Sequence, residues 1–330
     1  MNILILSAGT RNKVVQYYRQ ALAGRGRVIA TDCSPYAPAI YEADAYEIVP
    51  RMTEPGYLDV ILSLVRKWEA AGCFSLIDPE LSLLARERER FEALGCTPMI
   101  SPYNLVETCF HKYRMAGLFA ECGLPTAKCY LSLEEFDAAL ERGEISYPVF
   151  AKPEDGSASL NISQVYDRKE LSVLFERHEN LMIQEFMDGQ EYGADVYVDM
   201  VSGQCTAIFL KKKLRMRAGE TDKSVSVHDP ALFETIRRFV ERAGFRGQID
   251  IDIFDVGGTY YFSEVNPRYG GGYPHAYCCG VDTPSMYVRN LSGEACEPEI
   301  GAYEDGVCMM KYNELSVRRI ADGVNEAYSV

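Results

Sequence analysis

Residues 249–272 read IDIDIFDVGGTYYFSEVNPRYGGG. Two β-rich runs flank Gly257-Gly258, a hairpin signal, and in both runs the polar residues recur at alternate positions. A strand sends residues i, i+2 and i+4 to one face, with neighbours about 6 to 7 Å apart. Glu264, Asn266 and Arg268 therefore share a surface that offers two oxygen ligands and a cation. What stands opposite them depends on the turn. A strict two-residue turn pairs Ile251 with Glu264 and leaves Asp250 and Asp252 on the other side. An odd loop of three or five residues, such as one with a glycine bulge, sets Asp252 across from Glu264. The odd loop is expected, because only it gathers Asp252, Glu264 and Asn266. Such an all-oxygen set suits Mg²⁺, which takes a few carboxylates together with phosphate oxygens and waters, and it offers no soft ligand for zinc. Asp250 remains a rival to Asp252 on the same strand face. For two aspartates alone an exposed edge hairpin is the simpler reading; adding Asn266, Pro267 and Arg268 turns it into a functional one.

Working outward, Lys152 ends an apolar strand in YPVFAKPEDGSASLNIS and is followed by Gly156, Ser157, Ala158 and Ser159. Small residues after a lysine let backbone N–H groups and an ammonium approach phosphate oxygens. A second strand, LMIQEF, breaks at Gly189 before EYGADVYVDM; its edge can read an adenine, and a carboxylate such as Glu191 can accept from ribose hydroxyls. Each of these is weak alone, as is Lys112 on its helix.

The first hundred residues alternate apolar strands with amphipathic helices, which argues for a parallel sheet covered by helices. Asp32 ends the second strand about 20 residues after Gly9, where a dinucleotide-binding fold keeps its ribose carboxylate, yet the loop SAGTRNK lacks GxGxxG. A new unit begins near residue 101.

At 330 residues with 47% hydrophobic content, two or three folded lobes of a soluble protein are expected. No apolar run approaches the roughly 20 residues that span a bilayer, and neither a signal peptide nor a membrane partner is expected. Eleven cysteines without CxxC spacing point to reduced thiols and a cytoplasmic location. The net charge of −14 opposes nucleic-acid binding, so an anionic substrate needs a locally basic site.

Taken in order, Lys112, YPVFAKPEDGSAS, IQEFMDGQEY, Asp252 and FSEVNPRYGGG resemble the ATP-grasp superfamily, particularly one synthetase unit of carbamoyl phosphate synthetase large chain, over nearly the whole sequence. That enzyme has two such units in tandem and this chain one, so a different enzyme is expected. The resemblance implies an α/β ATP-grasp fold: an N-terminal parallel-sheet domain (1–106), a lid (107–188) and a C-terminal α+β catalytic unit (189–330). It also implies ATP and Mg²⁺ as cofactors. Lys112 and Lys152 would contact phosphates, Gln184, Glu185 and Phe186 would lie against adenine, and Glu191 on the ribose. Asp252, Glu264 and Asn266 would carry the metal, with Arg268 and Lys152 as catalytic residues. His111 stands where family members commonly have Asp, and the metal position matched by Asp252 is often Glu or Gln.

The activity implied is amide formation from a small amino-acid-like or peptide carboxylate and an amine, through an acyl phosphate. Bicarbonate, ammonia or a thiol as acceptor, or a non-catalytic nucleotide-binding module, are the alternatives. Arg11, Glu80, Arg215, Arg217 and Gly271 are candidates for substrate contacts, with the glycines allowing close backbone approach. Lys211–Lys213 read first as a solvated face, and His275 is not expected to touch substrate. No nucleic-acid partner is expected, and a homodimer is compatible with the sequence.

Overall fold

The computed structural model describes residues 1–156 and 163–320, so Ser157, Ala158 and Ser159 of the small-residue loop lie outside the described residues. The chain opens with β1 (Asn2–Leu6), α1 (Asn12–Leu22), β2 (Val28–Asp32), β3 (Ala45–Ile48), α2 (Tyr57–Lys67), β4 (Ala70–Ser75), α3 (Asp78–Arg86), α4 (Arg88–Glu92) and β5 (Thr97–Pro98). The strands form a parallel sheet in the order β3-β2-β1-β4-β5. Side-chain alternation explains its two helical coats. Ile3 and Ile5 pack with Val14, Val15 and Tyr18 of α1, while Leu4 and Leu6 pack with Ile61, Leu62 and Val65 of α2. Strand order reverses between β1 and β4, and the loops leaving their carboxyl ends open the crevice where such sheets hold ligands.

After α5 (Tyr103–Phe110) and α6 (Lys112–Glu121) comes a small antiparallel layer: β6 (Cys129–Tyr130), α7 (Leu133–Glu141), β7 (Val149–Pro153), β8 (Ser163–Val165), α8 (Arg168–Arg177) and β9 (Leu181–Glu185), with strand order β6-β9-β7-β8. Ser132 and Asp167 cap its helices by accepting from their first-turn N–H groups. Phe136, Ala139 and Leu171 cover one face through Val149, Ala151 and Ile183. The other face carries Phe150, Lys152, Met182 and Gln184, which are paired in register.

The last layer contains β10 (Gln190–Val198), β11 (Cys205–Arg217), β12 (Glu220–Val227), α9 (Pro230–Ala243), β13 (Gly247–Val256), β14 (Thr259–Asn266), α10 (Tyr273–Cys278), α11 (Thr283–Leu291) and β15 (Cys308–Met310). Its antiparallel sheet runs β14-β13-β10-β11-β12-β15. The DPALFETIRRFVERAG segment forms α9 because Asp229 caps its start, Pro230 fits its first turn, and Gly244 ends it at φ +85°. Ile249, Ile251 and Ile253 are fully buried with Leu232, Ile236, Phe239 and Val240 of this helix, each worth about 1.5–3 kcal/mol of transfer. The alternate residues of β13 therefore face the opposite, polar side.

Two expectations are corrected here. The β13–β14 connection is not an odd loop: Val256 pairs with Thr259 across a two-residue Gly257-Gly258 turn with φ +61° and +87°. Parity changes inside β14 instead. Phe262 faces Ile253 but Glu264 faces Asp252, leaving Ser263 as the extra residue of a bulge. The gathering of acidic groups survives by another device, with Asp250 opposite Asn266. Likewise, Lys211 and Lys213 are not solvated. They lie on a central strand at 1% and 8% exposure, pointing to the polar face of the sheet.

Candidate functional site

The polar face is built from alternate residues of three neighbouring strands. Glu191, Gly193 and Asp195 of β10 stand opposite Lys213, Lys211 and Phe209 of β11, and Asp252 and Asp250 of β13 stand opposite Gly193 and Asp195. Gly193 leaves the room that the lysines use: a Cβ there would lie 3.0 Å from Lys211 Cε and 3.1 Å from Lys213 Cε. Lys213 Nζ donates to Glu191 Oε1 at 2.7 Å and to Asp252 Oδ1 at 2.5 Å. Lys211 is bonded to Asp195 in a fully enclosed ion pair. Neither pairing was singled out from sequence, although the alternation of charge in EYGAD, KKK and DID carries the signal.

Arg268, just past β14, donates through Nη2 to Asn266 Oδ1 at 3.1 Å and to Asp78 Oδ2 at 2.9 Å; its Nη1 stands 3.9 Å from Asp250 Oδ2. Burial works to lower the Arg268 pKa, and Asp78, Asp250 and Glu264 outweigh it. Burial also lowers the Lys213 ammonium, but Asp252, Glu191 and Asp250 raise it well above the ordinary lysine value. Burial, followed by the neighbouring Asp252 charge, raises Glu264 and brings Asp250 up to about 7. Glu191 is raised too, by burial against the pull of Lys213.

This charge pattern fits a divalent cation. The donors are hard oxygens, and two of the residues expected to hold the metal, Asp252 and Asn266, have their Oδ1 atoms held by the resident cations Lys213 and Arg268. Among the described residues no group of three or more His, Cys, Asp or Glu converges as a self-sufficient metal cage. Two carboxylates and an amide suit an ion that takes its other ligands from phosphate and water.

The lid supplies the second side. Lys152, 8% exposed, has its ammonium disfavoured by burial while Glu264 favours it. Gln184 shares its face and donates to Cys129 Sγ at 3.6 Å, and Phe186 lies against Phe150 with ring centroids 5.3 Å apart. Glu185 points to the other face, where its carboxylate accepts from the Lys128 N–H at 3.1 Å. Lys112 Nζ donates to the carbonyls of Asp155 and Gly156 at 3.1 and 2.8 Å. His111, the departure from the family pattern, bonds Glu154 at 2.7 Å, so the α5–α6 junction clamps the stem of the loop after β7.

The N-terminal lobe closes the third side. Asp32 is occupied: its oxygens accept from the Gly9 and Ser34 N–H groups at 2.8 and 2.9 Å, shaping the β1–α1 loop. Glu80 is fully buried and accepts from Tyr57 and Ser75, with burial raising its pKa. Arg11 reaches the site, pairing with Glu220 at 2.5 Å, and Lys311 joins the same carboxylate at 2.9 Å. Gly271 lies beneath this pair, since a Cβ there would be 2.6 Å from Glu220 Cδ and 2.8 Å from Arg11 Nη1. Tyr269 and Tyr273, both fully buried, pin the glycine loop at either end. Arg215 and Arg217 stand apart, exposed at the outer end of β11. His275 is buried, bonded to Ser224 Oγ at 2.8 Å and the Val307 carbonyl at 3.0 Å. All eleven cysteines are free, and no described helix is long and apolar enough to cross a membrane.

Comparison with known proteins agrees with this architecture. Residues 3–100 match the family described as PylC-like, N-terminal domain, and residues 177–315 match ATP-grasp in the biosynthetic pathway with Ter operon. The chain is 22% identical over 221 residues to the carbamoyl phosphate synthase arginine-specific large chain of Geobacillus stearothermophilus, covering 64% of this chain and 21% of that protein. It is 31% identical over 170 residues to the D-alanine–D-alanine ligase of Nitratiruptor sp., covering 44% and 47% of the two chains. The chain thus spans about a fifth and about half of these relatives. Among solved structures, the biotin carboxylase domain of Hydrogenobacter thermophilus 2-oxoglutarate carboxylase, determined with MgADP and bicarbonate, superposes with a TM-score of 0.75 at 16% identity, over 93% of this chain and 73% of that one. With its parallel N-terminal sheet, small lid and acidic antiparallel sheet, the chain has the ATP-grasp fold, and residues 177–315 match an ATP-grasp family.

Proposed function

We propose that the protein is an ATP-dependent carboxylate–amine ligase, forming an amide on a small amino-acid-like substrate with release of ADP and phosphate. The observation that carries this reading is the convergence of Asp252, Glu264, Asn266 and Arg268 on one face, with Glu264 within electrostatic reach of both Lys152 and Lys112. Nucleotide phosphates between the lid lysines and this face would meet cations on one side and metal ligands on the other. Mg²⁺ held by Asp252, Glu264 and Asn266 would supply neutralisation of phosphate charge. Gln184 and Phe186 line the base end, and Glu191 the ribose end.

The chemistry follows from what these groups stabilise. A substrate carboxylate oxygen attacks the γ-phosphorus, the bond to the β–γ bridging oxygen breaks, and ADP leaves. The acyl phosphate that forms is attacked by an amine nitrogen at its carbonyl carbon; phosphate departs and the nitrogen gives up its proton. Arg268 and Lys152 position and neutralise the transferring phosphoryl group, which is most of what a protein contributes to such a step. Arg11 and the Gly270–Gly272 backbone would meet the carboxylate substrate. Glu80 acts from behind, as a brace for the loop that carries Asp78.

The test is thermal denaturation with Mg-ATP, with ATP plus EDTA, and with NADH, for the wild type and Asn266→Ala. A ligand at about a hundred times its dissociation constant adds roughly 2.7 kcal/mol, a shift of several degrees. Stabilisation by Mg-ATP that is lost with EDTA and in the variant supports the reading, and a panel of carboxylates and amines is then screened for ADP release. Stabilisation by NADH alone refutes it.

A further inference from the structure

The ion pair between Arg268 and Asp78 joins residues 190 positions apart and from different lobes. Both side chains are nearly enclosed, at 13% and 12% exposure, so the contact is not an incidental surface pair. Asp78 opens α3, directly after the carboxyl end of β4, at the crevice where the strand order reverses. Its position is fixed from behind: Glu80 accepts from Ser75 Oγ at 2.5 Å and from Tyr57, while the Ile77 N–H donates to Ser75 Oγ at 3.2 Å. Asp78 also lines a small crevice with Glu264, Asn266, Pro267 and Gly156, which places it beside the metal ligands and the lid loop.

From this geometry we infer that Asp78 is a positioning residue for phosphoryl transfer, holding the Arg268 guanidinium in the orientation that meets the transferring phosphate. The inference rests on the proposed ATP chemistry. An arginine has long, freely rotating stems, and it stabilises a developing charge well only when its orientation is set beforehand. Asn266 Oδ1 and the Tyr269 carbonyl, at 3.1 and 3.2 Å, come from Arg268's own segment. Asp78 is the fixed point on the opposing lobe, which shares a hydrophobic core with the lobe of Arg268, so the packing of the two lobes sets the aim of the guanidinium. A merely structural ion pair would hold the lobes together without distinguishing ground state from transition state.

That distinction is measurable without knowing the carboxylate. MgADP with aluminium fluoride mimics the planar phosphoryl group in flight, whereas MgADP alone does not. Calorimetric titration of the wild type is expected to give binding about a hundredfold tighter with fluoride than without. Asp78→Asn keeps the MgADP affinity within about threefold and loses most of the fluoride increment; Asp78→Glu restores part of it. Asp78→Asn combined with Arg268→Ala loses no more than Arg268→Ala alone, because the two act through one group. Where Asp78→Asn does not fold, Asp78→Ser carries the same expectation. A full increment retained in the Asp78 variant overturns the inference, as does a lowered melting temperature with the increment intact. A wild type that binds MgADP without any increment also overturns it while leaving nucleotide binding standing. A wild type that does not bind MgADP refutes the proposed function itself.

Discussion

Lys213 Nζ lies 2.5 Å from Oδ1 of Asp252, a residue expected from the sequence to hold a metal ion. The lysine is nearly enclosed and also holds Glu191, so it is the counterion of two partly buried carboxylates. Removing one partner of such a buried set leaves charge without compensation, which costs about 3 kcal/mol or more. Lys213→Met is therefore expected to lower the urea midpoint of the free protein strongly, and millimolar Mg²⁺ to recover part of the loss by occupying the carboxylates. An unchanged midpoint would mean that water, not Lys213, compensates this face.

Lys152 behaves oppositely. Its ammonium is disfavoured by burial, and the favourable pull of Glu264 and Cys129 does not restore the ordinary value. A lysine whose folded pKa is depressed penalises the folded state wherever both states would be charged, so Lys152→Met should raise the melting temperature of the free protein. Loss of a charge-assisted contact to phosphate should weaken Mg-ATP binding by about 1.5–3 kcal/mol, roughly ten- to a hundredfold. Paired measurements of melting temperature without nucleotide and of Mg-ATP affinity check both halves; equal affinity in the variant would remove Lys152 from the phosphate site.

The contrast shows what sequence could reveal. The helix-coated parallel sheet was legible because Ile3, Leu4, Ile5 and Leu6 are apolar at every position, as a strand buried on both faces requires. The acidic face was legible from the alternation in β13 and β14, yet the reason for its parity was not: nothing marks Ser263, an ordinary strand residue, as a bulge, while Gly257-Gly258 advertises a turn. Lys213 was misread because three consecutive lysines look like surface, and their burial depends on carboxylates from strands that are distant in sequence. Asp78 was invisible for the same reason, since its partner lies 190 residues away.

His275 gives the fold a definite acid response. The Val307 carbonyl can only accept, so Nε2 carries the proton and Nδ1 accepts from Ser224; the ring is neutral. Burial, aided by the Lys211 charge, lowers its pKa to about 4. The unfolded chain binds a proton near pH 6.5 and the folded one does not until about pH 4, so stability attributable to this residue is complete above that window and falls as pH drops through it. The loss amounts to about 3 kcal/mol. His275→Gln keeps a donor for Val307 and cannot titrate. Its stability, measured by urea unfolding between pH 7 and pH 4, should fall less steeply than that of the wild type; parallel profiles would show that the imidazole titrates alike in the folded and unfolded chain.

The glycine loop separates two kinds of crowding. A Cβ on Gly270 would lie 2.4 Å from Asp250 Cγ, and that short, nearly enclosed side chain has little freedom to withdraw from beneath Arg268. A Cβ on Gly271 would meet Glu220 Cδ at 2.6 Å and Arg11 Nη1 at 2.8 Å, the far ends of two long and partly exposed side chains. Overpacking an enclosed site costs about 1–3 kcal/mol, whereas a flexible terminus swings aside for less. Gly270→Ala is therefore expected to destabilise the protein and to disturb Arg268. Gly271→Ala should fold with nearly wild-type stability and intact Mg-ATP binding while breaking the Arg11–Glu220 contact. If ADP release driven by the carboxylate substrate is then measured, Gly271→Ala should raise KM for that substrate and leave KM for ATP unchanged. An equal rise in both would place Arg11 and Gly271 on the nucleotide side of the cleft.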